Sequence, residues 1–190
     1  MSVYRLIVGL GNPGADYAET RHNAGFWLLD ALAQQCSASF GTESKFFGMT
    51  AKAHIHGQAV HLLKPTTFMN RSGQSALALA QFYKIEPTEI LIVHDELDIA
   101  PGQIRLKRGG GHGGHNGLRD LHRVFGAEYA RIRVGIGHPG HKDRVLGYVL
   151  GKPQAEDRRL IDEAIDDTLS YIKDIVTGDW DRAMGTLHQR

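Results

Sequence analysis

Apolar and polar positions along the chain recur with two different periods, and the switches between them mark its elements. YRLIVGL (4–10) is a compact apolar run closed by glycine, asparagine and proline, which predicts a buried strand. NAGFWLLDALAQQC (23–36) instead repeats Phe26, Leu29, Leu32, Ala33 and Cys36 at helical spacing. MTAKAHIHGQAVHLLK (49–64) predicts two strands turning at His56-Gly57-Gln58, with Lys52, His54 and His56 on a wet outer face. A helix over SALALAQFYK (75–84) and a strand over EILIVHDEL (89–97) follow. GQIRLKR (102–108) alternates as a strand, NGLRDLHRVF (116–125) as a helix, and YARIRVGIG (129–137) as a strand again. PQAEDRRLIDEAIDDTLSYIKDIV (153–176) predicts one long amphipathic helix, its stripe running from Leu160 through Ile165 to Ile175. Strands alternating with helices, plus a hairpin, specify an α/β fold. We expect a twisted mixed β-sheet flanked by helices, in a single domain over residues 1–190.

Composition narrows the class. A hydrophobic fraction of 42% and a charged fraction of 23% are those of a soluble globular protein, and no apolar run approaches a membrane span. The lone Cys36 excludes an internal disulfide, suits a reducing compartment, and reads as a packing residue. The first residues run straight into a strand without a signal-peptide layout, so the expected location is cytoplasmic. The net charge of +1 conceals an asymmetry. Residues 102–145 hold nine Lys/Arg against three acids, whereas 155–182 hold nine acids against four Lys/Arg. One region can therefore attract a polyanion while the whole chain stays near neutral.

The segments that follow the strands hold the unusual residues: GNPG, KPTTFMNRSG, HDELD, the glycine run GGGHGGHNG (109–117) and GHPGHKDR. In open α/β sheets ligands bind outside the carboxyl ends of the strands. Asn12, Asn70, Asp95, Asn116 and His138 can thus gather on one rim although they are far apart in sequence.

Several chemistries can be weighed against these residues. GLGNPG (9–14) matches the dinucleotide fingerprint G-x-G-x-x-G, but no helix opens at its glycines and the next strands form a hairpin. A turn at Pro13-Gly14 that presents Asn12 explains it better. His54-x-His56 and His112-x-x-His115 lack the further ligands of a metal site, so no metal is expected. No G-x-S-x-G elbow nominates a serine nucleophile, and Ser72 and Ser75 read as helix caps. Water attacking under general-base control is the remaining hydrolytic scheme; it needs an imidazole and a carboxylate to hold its tautomer. Of eleven histidines, His94 points away from the adjacent Asp95, and His61, His122 and His188 read as strand or surface residues. His22, in TRHNAG between the first turn and its helix, stands out as a candidate base. The glycine run offers bare amides at the start of a helix, with Lys107 and Arg108 at its entrance, which suits an anion.

These same stretches resemble the bacterial-type peptidyl-tRNA hydrolase family: VGLGNPGADYAETRHNAGF (8–26), KPTTFMNRSG (64–73), VHDELDIAPGQIRLKRGGGHGGHNGLRD (93–120), RIRVGIGHPG (131–140) and VLGYVLGKP (145–153). The motifs TRHN, FMN-SG and GGHNG fall in family order across nearly the whole chain. The resemblance implies hydrolysis of the ester joining a peptide to the 3′ end of tRNA, with no cofactor, in a monomer that recycles tRNA from stalled translation. Carried over by position, His22 is the general base, Asp95 its partner, and Asn12 helps distinguish an N-blocked peptidyl group from a free aminoacyl group. Asn70 and Asn116 hold the 3′ end and peptide, Tyr17 and Phe68 line the pocket, and Asn23 and His115 are accessory. Lys107 and Arg133 clamp the tRNA 5′ phosphate. Two positions depart from the family pattern: Glu96, where many members carry Asp, and His112, where a small residue is common. A plant relative that serves RNA splicing without hydrolysis supplies the alternative, a non-catalytic RNA-binding module. A nucleotide-dependent oxidoreductase is the more distant one.

Overall fold

The computed structural model describes residues 3–189; positions 1, 2 and 190, which the expected domain includes, lie outside them. Strands β1 (Leu6–Gly9), β2 (Gly41–Glu43), β3 (Gly48–Ile55), β4 (Gln58–Pro65), β5 (Ile90–Glu96), β6 (Ile104–Arg108) and β7 (Ala130–Gly135) form one sheet in the order β2-β3-β4-β1-β5-β7-β6. β1 pairs in parallel with β4 and β5, and β5 with β7, while β2–β3, β3–β4 and β6–β7 are antiparallel. The sheet is mixed, as expected, and its parallel centre reads as unbroken apolar sequence because both faces are covered.

Alternate residues of the central strands feed two cores. Ile7, Leu91 and Val93 join α1 (Ala24–Gln35), α5 (Ala155–Leu169), α6 (Ile172–Val176) and α7 (Asp181–Leu187) on one side. Leu6, Val8, Ile90 and Ile92 join α2 (Ser72–Phe82) and α3 (Asn116–Phe125) on the other. Each fully buried Leu or Ile in these layers contributes about 1.5–3 kcal/mol. The approach of α1 is unusually close. A Cβ on Gly25 would run into the Val93 carbonyl and the Leu10 amide, 2.6 Å away, so only glycine lets the first turn of α1 lie on the sheet backbone. That contact sets the position of the residues just before α1, His22 among them.

The structure also differs from the sequence reading. The long helix expected over 153–176 breaks after Leu169, where Ser170 and Tyr171 turn the chain before α6. The turn brings Val176 over the start of β1, where its carbonyl accepts from the Tyr4 amide at 2.9 Å. An unbroken helix would carry Ile172 and Ile175 away from that core. The short elements β2, α4 (Val145–Val149) and α7 were not expected. His188, read as a surface residue, instead accepts the Leu106 amide of the edge strand β6 at 3.0 Å. His122 likewise engages Tyr129 Oη at 2.6 Å. Ser72 and Ser75 do not cap α2; their hydroxyls donate to the Met69 and Phe46 carbonyls at 2.7 and 2.6 Å. Among the described residues, no helix is long and apolar enough to cross a membrane.

Candidate active site

β5 outruns β1. The last link between them is the Leu10 amide donating to the Val93 carbonyl at 3.0 Å, and Asp95 lies beyond it at the carboxyl end of the sheet. Asp95 is 3% exposed, and two imidazoles whose ring centroids lie 5.0 Å apart share its carboxylate. His22, in the 3-10 turn Arg21–Asn23 that leads into α1, places Nδ1 2.9 Å from Oδ2. His115, the N-cap of α3, places Nε2 2.8 Å from Oδ1.

The hydrogen bonds fix the tautomers. His115 Nδ1 accepts the Gly117 and Leu118 amides at 3.1 and 3.3 Å, so its proton is on Nε2 and is donated to Asp95. His22 donates from Nδ1, which leaves the Nε2 lone pair free of any partner among the described residues. That is the form a general base requires. Burial alone lowers the pKa of His22, but the Asp95 carboxylate outweighs it and the net shift is upward from 6.5. Burial alone would raise Asp95; His22 and His115 reverse it and hold the carboxyl far below the usual carboxylate range.

Two asparagines close the neighbouring turn. Asn23 Oδ1 accepts the Asn12 amide at 2.9 Å while its Nδ2 donates to the Asn12 carbonyl at 3.0 Å. Asn12 Oδ1 accepts the Met69 amide at 2.7 Å, so its Nδ2 remains a donor without an acceptor among the described residues. Asn12, buried in the loop after β1, is thereby tied to the turn that carries Phe68 and Asn70. Phe68, 58% exposed, meets Tyr17 edge-on with centroids 6.1 Å apart. Asn70 and Asn116 are exposed, the latter opening α3 beside His115.

The glycine run has a conformational cause. Gly109, Gly110, Gly113 and Gly114 adopt φ of 69°, 99°, 60° and 80°, which other L-residues rarely take. Arg131 Nη2 donates to the Gly109 carbonyl at 2.8 Å, and His122 Nε2 lies 2.9 Å from the Gly110 carbonyl. A Cβ on Gly110 would meet Lys107 Nζ at 2.8 Å, so the loop folds down onto that lysine. Lys107 stands opposite Arg131 and Arg105 opposite Arg133 across the β6–β7 pair. Directly opposed residues share a face, so four cations line one side of this ribbon. Glu96 comes within 4.0 Å of Arg133, which gives that sequence departure a local electrostatic consequence.

The structure thus joins His22, Asp95 and His115 in one hydrogen-bonded cluster and Asn12 and Asn23 in a second, the two linked through the chain at His22-Asn23. Phe68 and Asn70 flank Met69, whose amide is tied to Asn12, Tyr17 meets Phe68, and Asn116 follows His115. Lys107 and Arg133 sit on a separate cationic face. His138, expected on the rim, is exposed and accepts only the Gly140 amide of its own turn, at 2.9 Å. Sequence reasoning underrated two residues. Arg131 is 3% exposed and anchors the glycine loop, and the Lys-Arg alternation of β6 and β7 was its only signal. Strand alternation points the His94 side chain away from the Asp95 carboxylate, yet its ring touches the Asp95 carbonyl and His115. His22, Asp95 and His115 also form the group of described residues whose ligand atoms lie close enough, within 4.8 Å, to hold a metal ion. Those atoms already satisfy one another through hydrogen bonds.

A mixed α/β sheet carrying a His–Asp–His cluster around a buried carboxylate at the carboxyl ends of its parallel strands defines the class. Comparison with known proteins is specific within it. The family model described as peptidyl-tRNA hydrolase matches residues 6–190. The peptidyl-tRNA hydrolase of Neisseria gonorrhoeae is 58% identical over 187 residues, covering 98% of this chain and 97% of that protein. The same enzyme from Stenotrophomonas maltophilia is 58% identical over 189 residues, with 99% and 98% covered. The crystal structure of peptidyl-tRNA hydrolase from Acinetobacter baumannii superimposes with a TM-score of 0.95 at 53% identity, covering 98% of this chain and 95% of that one. The chain belongs to the peptidyl-tRNA hydrolase family.

Proposed function

We propose that this chain hydrolyses the ester between the peptide and the 3′ end of peptidyl-tRNA by general-base activation of water, with His22 as the base. One observation carries the reading: the buried Asp95 carboxylate accepts a hydrogen bond from His22 Nδ1–H, which keeps the proton on Nδ1 and leaves the Nε2 lone pair free to act as base. Water gives a proton to that nitrogen as its oxygen adds to the ester carbonyl carbon. The tetrahedral oxyanion takes hydrogen bonds from neutral amides, for which Asn12 Nδ2 is free and Asn70 and Asn116 are exposed nearby. Collapse breaks the bond to the ribose oxygen, and the proton held by His22 leaves with the tRNA hydroxyl. Ester substrates are already activated, so the scheme needs no metal and no covalent nucleophile.

In the same reading Asn12 favours an N-blocked peptidyl group over a free aminoacyl group, Asn23 is accessory and holds the Asn12 backbone, Tyr17 and Phe68 line the peptide path, and Lys107 with Arg133 binds the 5′ phosphate. His115 holds the second oxygen of Asp95. Phosphate contacts of this kind give affinity without reading sequence, which suits an enzyme serving many tRNAs. The protein would act as a cytoplasmic monomer that returns tRNA from stalled ribosomes to translation. The alternative of an RNA-binding module without activity is disfavoured because the complete His22–Asp95 pair is in place.

The test is release of N-acetyl-aminoacyl groups against free aminoacyl groups from the same tRNA. We expect rapid release of the N-blocked group and at least about 100-fold slower release of the free one, a discrimination of about 2.7 kcal/mol at 1.36 kcal/mol per tenfold. No release of either would favour the RNA-binding module.

A further inference from the structure

His94 is 1% exposed and lies one residue before the central carboxylate. Alternation along β5 explains what it does there. The Val93 carbonyl faces β1 and accepts the Leu10 amide, while the Glu96 carbonyl faces β7 and accepts the Ile136 amide at 3.0 Å. The Asp95 carbonyl therefore faces the β1 side, where β1 has already ended at Gly9. Among the described residues no backbone amide reaches it. His94 Nδ1 does, at 2.8 Å, and satisfies an acceptor that the end of the neighbouring strand would leave open. The same ring meets the face of His115 edge-on, with centroids 5.3 Å apart and planes at 71°. Burial, reinforced by the His115 ring, pushes the pKa of His94 down to about 3, so the ring stays neutral and donates a hydrogen bond from Nδ1–H to the carbonyl. Its buried Nε2 has no hydrogen-bond partner among the described residues.

We propose that His94 is a positioning residue for the hydrolysis: it closes the Asp95 carbonyl and backs His115, and so fixes the carboxylate that orients His22. The proposal rests on the general-base reading above. It explains why a histidine stands at a position where an apolar residue would satisfy the core. A leucine there fills similar space but leaves the carbonyl open. An asparagine can place its Nδ2 near the Nδ1 position, whereas a glutamine amide reaches the Nε2 position instead.

The test compares His94→Asn, His94→Gln and His94→Leu with the wild type in steady-state hydrolysis of N-acetyl-aminoacyl-tRNA, with melting temperature as the control for folding. Asparagine is expected to keep kcat within about threefold of the wild type. Glutamine and leucine are expected to lower kcat by about tenfold or more with KM within about twofold, the cost of a slightly misaimed catalytic group. A folded leucine variant with wild-type kcat would overturn the proposal. So would asparagine and glutamine variants with equal kcat, a comparison that stands even if the leucine variant fails to fold. His22→Ala is assayed alongside: turnover by that variant would remove the base itself, a failure distinct from that of His94.

Discussion

The Asp95 carboxylate is charged and almost fully buried, a state that costs several kcal/mol unless its partners are well placed. Two imidazole N–H groups meet that requirement, and they set the pH behaviour. Because Asp95 raises the pKa of His22 above 6.5, the proposed base is neutral only at higher pH. The acid limb of kcat/KM is therefore expected above pH 6.5. Asp95→Asn should move that limb to lower pH while reducing kcat, since the amide neither attracts the imidazolium nor demands its proton. A limb that stays in place would detach Asp95 from His22. His94 works in the opposite direction. Its folded pKa of about 3 lies below the ordinary 6.5, so between these values the unfolded chain binds more protons. Stability is lost as pH falls through that window. His94→Asn should flatten the dependence, measured as the urea midpoint at pH 4 against pH 7 (about three units apart, spanning most of the interval). The three ligand-like groups already satisfy one another, so EDTA should leave turnover unchanged; activity restored by zinc after stripping would contradict this.

At the scale of elements, the site depends on how closely α1 lies against β1 and β5. Gly25→Ala places a methyl group against three backbone atoms of Val93 and Leu10 and should destabilise the fold by about 1–3 kcal/mol, read from denaturant midpoints. Activity should fall further than stability predicts, because the shift is carried straight into His22. The strongly periodic elements were legible in the sequence: β1, β5, β7, α1 and α3 each fall within a couple of residues of the expected span. What was not legible depends on tertiary partners. β2 is three residues long and exists because β3 pairs with it. The break before Tyr171 responds to a core that no local pattern encodes. At the site, motif residues such as His22, Asn12 and Asp95 could be singled out along the chain. His94 could not, because its role arises from where a different strand stops.

Across the whole molecule, the cationic ribbon and the candidate site occupy neighbouring regions. Arg105, Lys107, Arg131 and Arg133 share the face of the β6–β7 ribbon, and the glycine loop folded over Lys107 leads directly into His115 and α3. An RNA backbone held on the ribbon would thus be tied to the same segment that braces Asp95. Lys107→Ala should weaken tRNA binding and reduce the magnitude of the log–log salt slope by about 1, as expected for one lost phosphate contact. An unchanged slope would place the nucleic acid elsewhere. Glu96, close to Arg133, should temper that cation, so Glu96→Gln is expected to tighten binding at low salt, checked by the same titration. The central claim concerns a single imidazole, and single-turnover release of N-acetyl-aminoacyl groups by His22→Ala tests it most directly. The account predicts a loss of about 10²–10⁴-fold with tRNA binding intact. Release at the wild-type rate would contradict it.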